Sequence, residues 1–129
     1  MALAAGIAKK AKPGLILCLY GELGAGKTTF VRGFLRGLGH RGAVPSPTFA
    51  LVNEYPRLKP RVYHMDLYRV ARGDLPNLAL ADYFDDREAV SLVEWPEAVE
   101  GLLPKPFAEV RIEHRGGGGR TVAARGIKP

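Results

Sequence analysis

The run Gly21-Glu22-Leu23-Gly24-Ala25-Gly26-Lys27-Thr28 has the spacing G-x-x-x-x-G-K-[ST], and each fixed position has a chemical reason. Glycines let the backbone curl until several N–H groups point inward at one oxyanion, and a helix that starts there adds its dipole behind them. Lys27 supplies the point charge for β- and γ-phosphates. Thr28 offers a hydroxyl to Mg²⁺. The chemistry is phosphate binding, and with a divalent cation it extends to phosphoryl transfer or hydrolysis.

Such a loop needs an acid to hold the metal. Asp66 closes the β-rich run Val62-Tyr63-His64-Met65, thirty-nine residues after Lys27. A carboxylate at a strand end beside the loop can accept from Thr28 or from a metal-bound water, and an Asp there also suits an ordinary turn. Glu94 closes the apolar run Val90-Ser91-Leu92-Val93. It could bind the metal or orient the attacking water, and a salt bridge at the rim would use the same residue. Trp95, the sole tryptophan, fits either a site wall or the core. Ser46-Pro47-Thr48 sits where nucleotide switches carry a threonine that senses the γ-phosphate, yet the same tripeptide suits any turn. His40, His64 and His114 lack metal-ligand spacing and read as surface or strand residues.

The flanking elements fit the loop. Residues 15–20 form a short apolar run of buried-strand length. Phe30, Val31, Phe34, Leu35 and Leu38 follow at helical spacing, and Gly39 ends the pattern. A helix over 3–11 stops near Pro13-Gly14. The stretches 49–55 and 62–68 predict a hairpin with a long, proline-marked loop. A short helix falls around 77–83, a strand over 89–95, and a helix over 96–103 with Pro96 at its first position. The stretches 107–114 and 121–124 flank the run Gly116–Gly119 and predict a terminal hairpin.

At 129 residues and 47% hydrophobic, the chain reads as one domain, residues 1–129, with a real core. The lone cysteine, Cys18, excludes a disulfide framework and reads as a small core residue. No stretch approaches a membrane span, and residues 1–11 lack the charged start of a signal peptide, so a cytoplasmic protein is expected. Net charge is +6, with 12 of the 19 basic residues arginine. That charge suits either a nucleic-acid partner or a solvated basic face.

Four segments taken together carry a resemblance. Residues 21–30, Ser-Pro-Thr-Phe-Ala-Leu-Val-Asn-Glu-Tyr (46–55), Tyr-His-Met-Asp-Leu-Tyr-Arg (63–69) and Leu-Val-Glu-Trp-Pro-Glu (92–97) resemble the TsaE family, the bacterial ATPases of tRNA threonylcarbamoyladenosine biosynthesis. The match runs in order along nearly the whole chain. It implies an α/β fold, a single P-loop NTPase domain with a mixed, mainly parallel sheet and a C-terminal hairpin. It implies ATP and Mg²⁺ as ligands, weak intrinsic hydrolysis, TsaB and TsaD as partners, and an indirect relation to tRNA.

Carried over position by position, the resemblance puts Gly24, Ala25, Gly26, Lys27, Thr28 and Thr29 on the nucleotide. Thr28, Asp66 and Glu94 fall on the metal, and Thr48 falls in a switch-like loop. Trp95 lies near the nucleotide, and the Gly119-Arg120 pair places Arg120 within reach of a phosphate or the ribose; a plain hairpin turn explains that pair equally well. Lys27, Thr48, Asp66 and Glu94 would then carry the hydrolysis. Family members commonly have further residues before the first helix and a shorter glycine run than Gly116–Gly119. Two other readings use the same loop: a small-molecule kinase, for whose lid and acceptor pocket the chain has little length, and a nucleotide-binding interaction module without turnover.

Overall fold

Ile16, Leu17, Cys18 and Leu19 are all buried, which leaves their strand no polar face. Such a strand belongs inside a parallel sheet covered on both sides. In the computed structural model that is where it sits. The structure describes residues 2–21, 26–47, 51–71, 73, 80–104, 107–114 and 120–127, without the side chains of residues 100, 114 and 120.

The elements run α1 (Ala2–Lys10), β1 (Ile16–Tyr20), α2 (Lys27–Gly37), β2 (Val52–Tyr55), β3 (Arg61–Asp66), α3 (Tyr68–Ala71), α4 (Leu80–Phe84), β4 (Ala89–Glu94), a 3₁₀ helix (Pro96–Leu102), β5 (Ala108–His114) and β6 (Arg120–Arg125). The six strands lie in the order β2-β3-β4-β1-β5-β6. The pairs β3–β4, β4–β1 and β1–β5 are parallel; the outer pairs β2–β3 and β5–β6 are antiparallel. The sheet is therefore mixed and mainly parallel, and the 62–68 stretch divides at Asp66, with Tyr68 opening α3. The two expected hairpins form; in the first, residues 49 and 50 lie outside the described residues and the second strand stops at Asp66.

Strand side chains alternate between faces, and the core divides accordingly. Leu17, Leu19, Val62, Val90, Leu92, Val110 and Ile112 pack under α1 and α2. Ile16, Cys18, Met65 and Val93 face the opposite layer, with Leu80 and Phe84 from α4, Val99 from the 3₁₀ segment and Leu103 just after it. On α2, the buried Phe30, Val31, Phe34 and Leu35 form one face, each contributing about 1.5–3 kcal/mol of burial. The helix ends as its sequence signals. Gly39 takes φ 97°, and the N–H groups of Gly39 and His40 return to the carbonyls of Arg36 and Leu35 at 3.0 Å each, a closure that favours glycine.

Gly37 sets how closely α1 and α2 approach. A Cβ there would lie 2.7 Å from Ala5 Cα and 2.8 Å from Ala5 O, both backbone atoms that cannot rotate away. Gly37→Ala is thus expected to push the helices apart and cost about 1–3 kcal/mol. Urea unfolding checks this as a lower midpoint with an unchanged slope; an unchanged midpoint refutes the close contact.

Among the described residues no helix is long and apolar enough to cross a membrane. β1, β3 and β4 run parallel, so their carboxyl ends share one edge of the sheet, where open α/β sheets bind ligands.

Candidate functional site

At that edge β1 gives way to Gly21, and α2 starts at Lys27 behind Gly26, whose φ of 104° is left-handed. No side chain caps α2. Its first internal bond is donated by the Phe30 N–H, to Gly26 O at 2.9 Å. The preceding N–H groups form the open positive end of the helix.

Lys27 turns back over this end. It is only 5% exposed, and its Nζ donates to Gly21 O at 2.7 Å. The same Nζ lies 3.9 Å from the centroid of the Trp95 ring, a cation–π contact in a desolvated place. Burial pulls the Lys27 ammonium below the usual lysine value. The charges of Glu94, Asp66 and Glu97 push it back up, Glu94 most strongly. A buried cation held by one carbonyl, one ring face and nearby carboxylates suits an anionic ligand.

The acids come from adjacent strand ends. Asp66 and Glu94 are direct partners in the β3–β4 register, and Glu94 also pairs in register with Leu19 of β1. Glu94 is 5% exposed. Its Oε2 lies 2.6 Å from Nε2 of His64, which is wholly buried. Since a carboxylate only accepts, Nε2 is the donor. Asp66 accepts from the Tyr68 N–H through Oδ1 at 3.1 Å, which starts α3. Its own N–H donates to Leu51 O at 3.0 Å, and the Leu51 N–H donates to Pro47 O at 2.7 Å. Residues 47 and 51, on either side of 48–50, are thus joined to each other, and Leu51 is joined to the end of β3.

Two non-glycine residues here adopt left-handed backbone, Leu51 at φ 66° and Trp95 at φ 58°. Such conformations cost on the order of 1–3 kcal/mol and cluster at functional sites. Trp95 directly follows Glu94. Its turn sets the ring over Lys27 and 5.0 Å from the ring of Tyr68.

Lys27, Asp66, Glu94 and Trp95 therefore meet at one end of the sheet, with Gly26 before Lys27 and Thr28 and Thr29 after it in the first turn of α2. Thr28 is half-buried and Thr29 exposed. Gly24, Ala25 and Thr48 lie outside the described residues. The backbone of Arg120 opens β6 opposite His114, on the same edge of the sheet but at its far strand; its side chain lies outside those described.

Thr28, Asp66 and Glu94 offer the donor types that magnesium takes. Among the described residues no group of three or more His, Cys, Asp or Glu could hold a metal ion. Two carboxylates and a threonine hydroxyl are hard oxygen donors, few in number, and Mg²⁺ is usually held in that way together with phosphates and water.

Sequence reasoning missed two residues here. His64 is in a strand as expected, but it is buried rather than on the surface, and it bonds Glu94. The available signal was its place two residues before Asp66, on the same strand face. Tyr68 was read as the end of a strand and instead supports Trp95.

The family described as threonylcarbamoyl adenosine biosynthesis protein TsaE matches residues 1–122. The chain is 44% identical over 101 residues to the Haemophilus influenzae tRNA threonylcarbamoyladenosine biosynthesis protein TsaE, covering 78% of this chain and 63% of that protein. It is 43% identical over 112 residues to the protein of the same name from Bacillus subtilis, covering 87% and 70%. The crystal structure of Bacillus subtilis YdiB superposes with a TM-score of 0.80 at 40% identity, covering 94% of this chain and 74% of YdiB. The chain thus spans less than two thirds of the length of the Haemophilus relative.

Proposed function

The chain belongs to the TsaE family, and from that premise we propose that it is an ATP-binding and ATP-hydrolysing accessory protein of tRNA threonylcarbamoyladenosine modification. It acts in the cytoplasm on a complex of TsaB and TsaD, in which hydrolysis drives a switch cycle, and tRNA is engaged through those partners. The observation that carries the reading is the buried Lys27 ammonium at the open end of α2, opposite two strand-end carboxylates.

Each residue then has a chemical task. Lys27 pairs with the β- and γ-phosphates in place of Gly21 O and the Trp95 ring. The N–H groups at the start of α2 receive phosphate oxygens. Thr28, Asp66 and Glu94 would hold Mg²⁺, which when bound neutralises charge on the phosphates. Glu94 is also the base placed to orient the attacking water. Trp95 and Tyr68 wall the crevice against solvent. Hydrolysis by the isolated protein is slow, because stabilising the transferring phosphoryl needs groups held out of bulk water, and docking on the partners supplies that exclusion. Docking on TsaB–TsaD orders residues 46–49 over the phosphates, Thr48 among them. Nucleotide and partner then strengthen each other's binding, since linkage is reciprocal.

Trp95 provides the test, being the sole tryptophan and in contact with Lys27. Titration with Mg²⁺–ATP is expected to shift its emission saturably as the ammonium leaves the ring. Phosphate release is expected to be slow alone and faster with TsaB–TsaD. No saturable change together with no phosphate release overturns the nucleotide reading. A release rate indifferent to TsaB–TsaD overturns the switch.

A further inference from the structure

His64 poses a question that fold stability does not answer. It lies on β3 between Val62 and Asp66, on the face that packs under α2, and it is wholly buried. An imidazole in that place costs more than an apolar side chain of similar size unless it is partnered. Its Nδ1 is buried with no hydrogen-bond partner. Its Nε2 makes a short 2.6 Å bond to Glu94 Oε2. The ring thus serves one carboxylate, and the β3–β4 register, with His64 opposite Leu92 and Asp66 opposite Glu94, holds it there.

We propose that His64 is a positioning residue, fixing the Glu94 carboxylate in the orientation from which it meets the divalent cation. This rests on the reading that Glu94 is a metal ligand. With Oε2 tied to His64, the carboxylate cannot rotate freely about its last bond, and Oε1 is the oxygen that the histidine leaves disengaged. The rigid strand pair, rather than a loop, sets the direction of that oxygen. Removing the histidine leaves a nearly buried carboxylate with one oxygen unsatisfied. It would then turn toward the nearest cation, the Lys27 ammonium that already feels its charge, and away from the metal. Partners that orient metal ligands in this way typically account for 10–100-fold in metal affinity.

The experiment measures Mn²⁺ binding by the full chain saturated with a non-hydrolysable ATP analogue, from the electron paramagnetic resonance signal of free Mn²⁺. Glu94→Gln and His64→Leu are each expected to weaken Mn²⁺ binding by about 10–100-fold. His64→Gln, whose amide nitrogen falls near the position of Nε2, is expected to restore most of it. Wild-type affinity in Glu94→Gln overturns the reading of Glu94 as a ligand, and the proposal with it. Weakened binding in Glu94→Gln but wild-type affinity in a folded His64→Leu overturns the proposal alone. If His64→Leu fails to fold, the wild-type protein decides. The Nε2–H proton resonance of His64 can be assigned by elimination in His40→Gln and His114→Gln variants, these being the only other histidines. It is expected to shift when Mg²⁺ joins the nucleotide, because a cation draws electron density from the accepting carboxylate. An unmoved resonance overturns the proposal.

Discussion

Lys27→Ala is expected to lower ATP affinity by roughly a hundred- to several-thousand-fold and to remove hydrolysis with it. The size follows from what the side chain does. Its ammonium is buried at the helix end, where removing one partner of a desolvated ion pair costs about 3–5 kcal/mol. The phosphates would be the stranded partner. The fold is expected to hold. The lysine's polar contact is with the Gly21 carbonyl at the loop mouth, and burial already disfavours its charge, so deleting it relieves a desolvation cost. Isothermal titration with ATP, single-turnover phosphate release and a urea midpoint on the same sample make the check. Wild-type hydrolysis by a folded Lys27→Ala protein would refute the assignment of this loop to phosphate.

The reason that residue was legible at once, while its surroundings were not, is physical. The phosphate loop is a local device. Its glycines, lysine and threonine fall within eight consecutive residues, so spacing alone points to the chemistry. Asp66 and Glu94 were legible because a carboxylate at the end of an apolar strand breaks the pattern that burial imposes. That they stand side by side was implied only by the family resemblance, because spacing alone does not show the register between strands separated by α3 and α4. His64 was hidden for the same reason. One polar residue in a strand of alternating burial looks like an exposed position until its partner, thirty residues on, is in place. The end of β3 was displaced because Asp66 bonds the Tyr68 N–H and starts a helix, a capping role that the aromatic and β-branched residues around it obscure. Trp95 could be read as core or as site wall, and the structure gives it both surroundings: it packs against the core cluster of α4 and its ring meets Lys27. The close approach of α1 to α2 at Gly37 leaves no local signal, since the reason for that glycine is the backbone of Ala5.

Neighbouring carboxylates in register make a second strong prediction. Asp66→Asn and Glu94→Gln each keep shape and hydrogen-bonding capacity while removing one negative charge. If both acids serve one cation, either change disables the same unit. Each single substitution is then expected to lower the single-turnover rate by about 10²–10³-fold, and the double substitution by little more than the worse single one. Folding should survive both. In Glu94→Gln the side-chain amide carbonyl can still accept from His64, and in Asp66→Asn the amide carbonyl can still accept from the Tyr68 N–H. Glu94→Gln has a further effect, because Glu94 makes the largest charge contribution holding the Lys27 ammonium protonated. Its loss deepens the depression of that lysine, and the defect is expected to grow as pH rises, whereas the Asp66→Asn defect should vary less. The measurement is a double-mutant cycle on phosphate release at two pH values. If the two defects simply multiply, the acids act independently and the shared-metal arrangement is wrong. If the defects are coupled but the pH response is the same in both variants, the acids share a metal and Glu94 has no particular hold on Lys27.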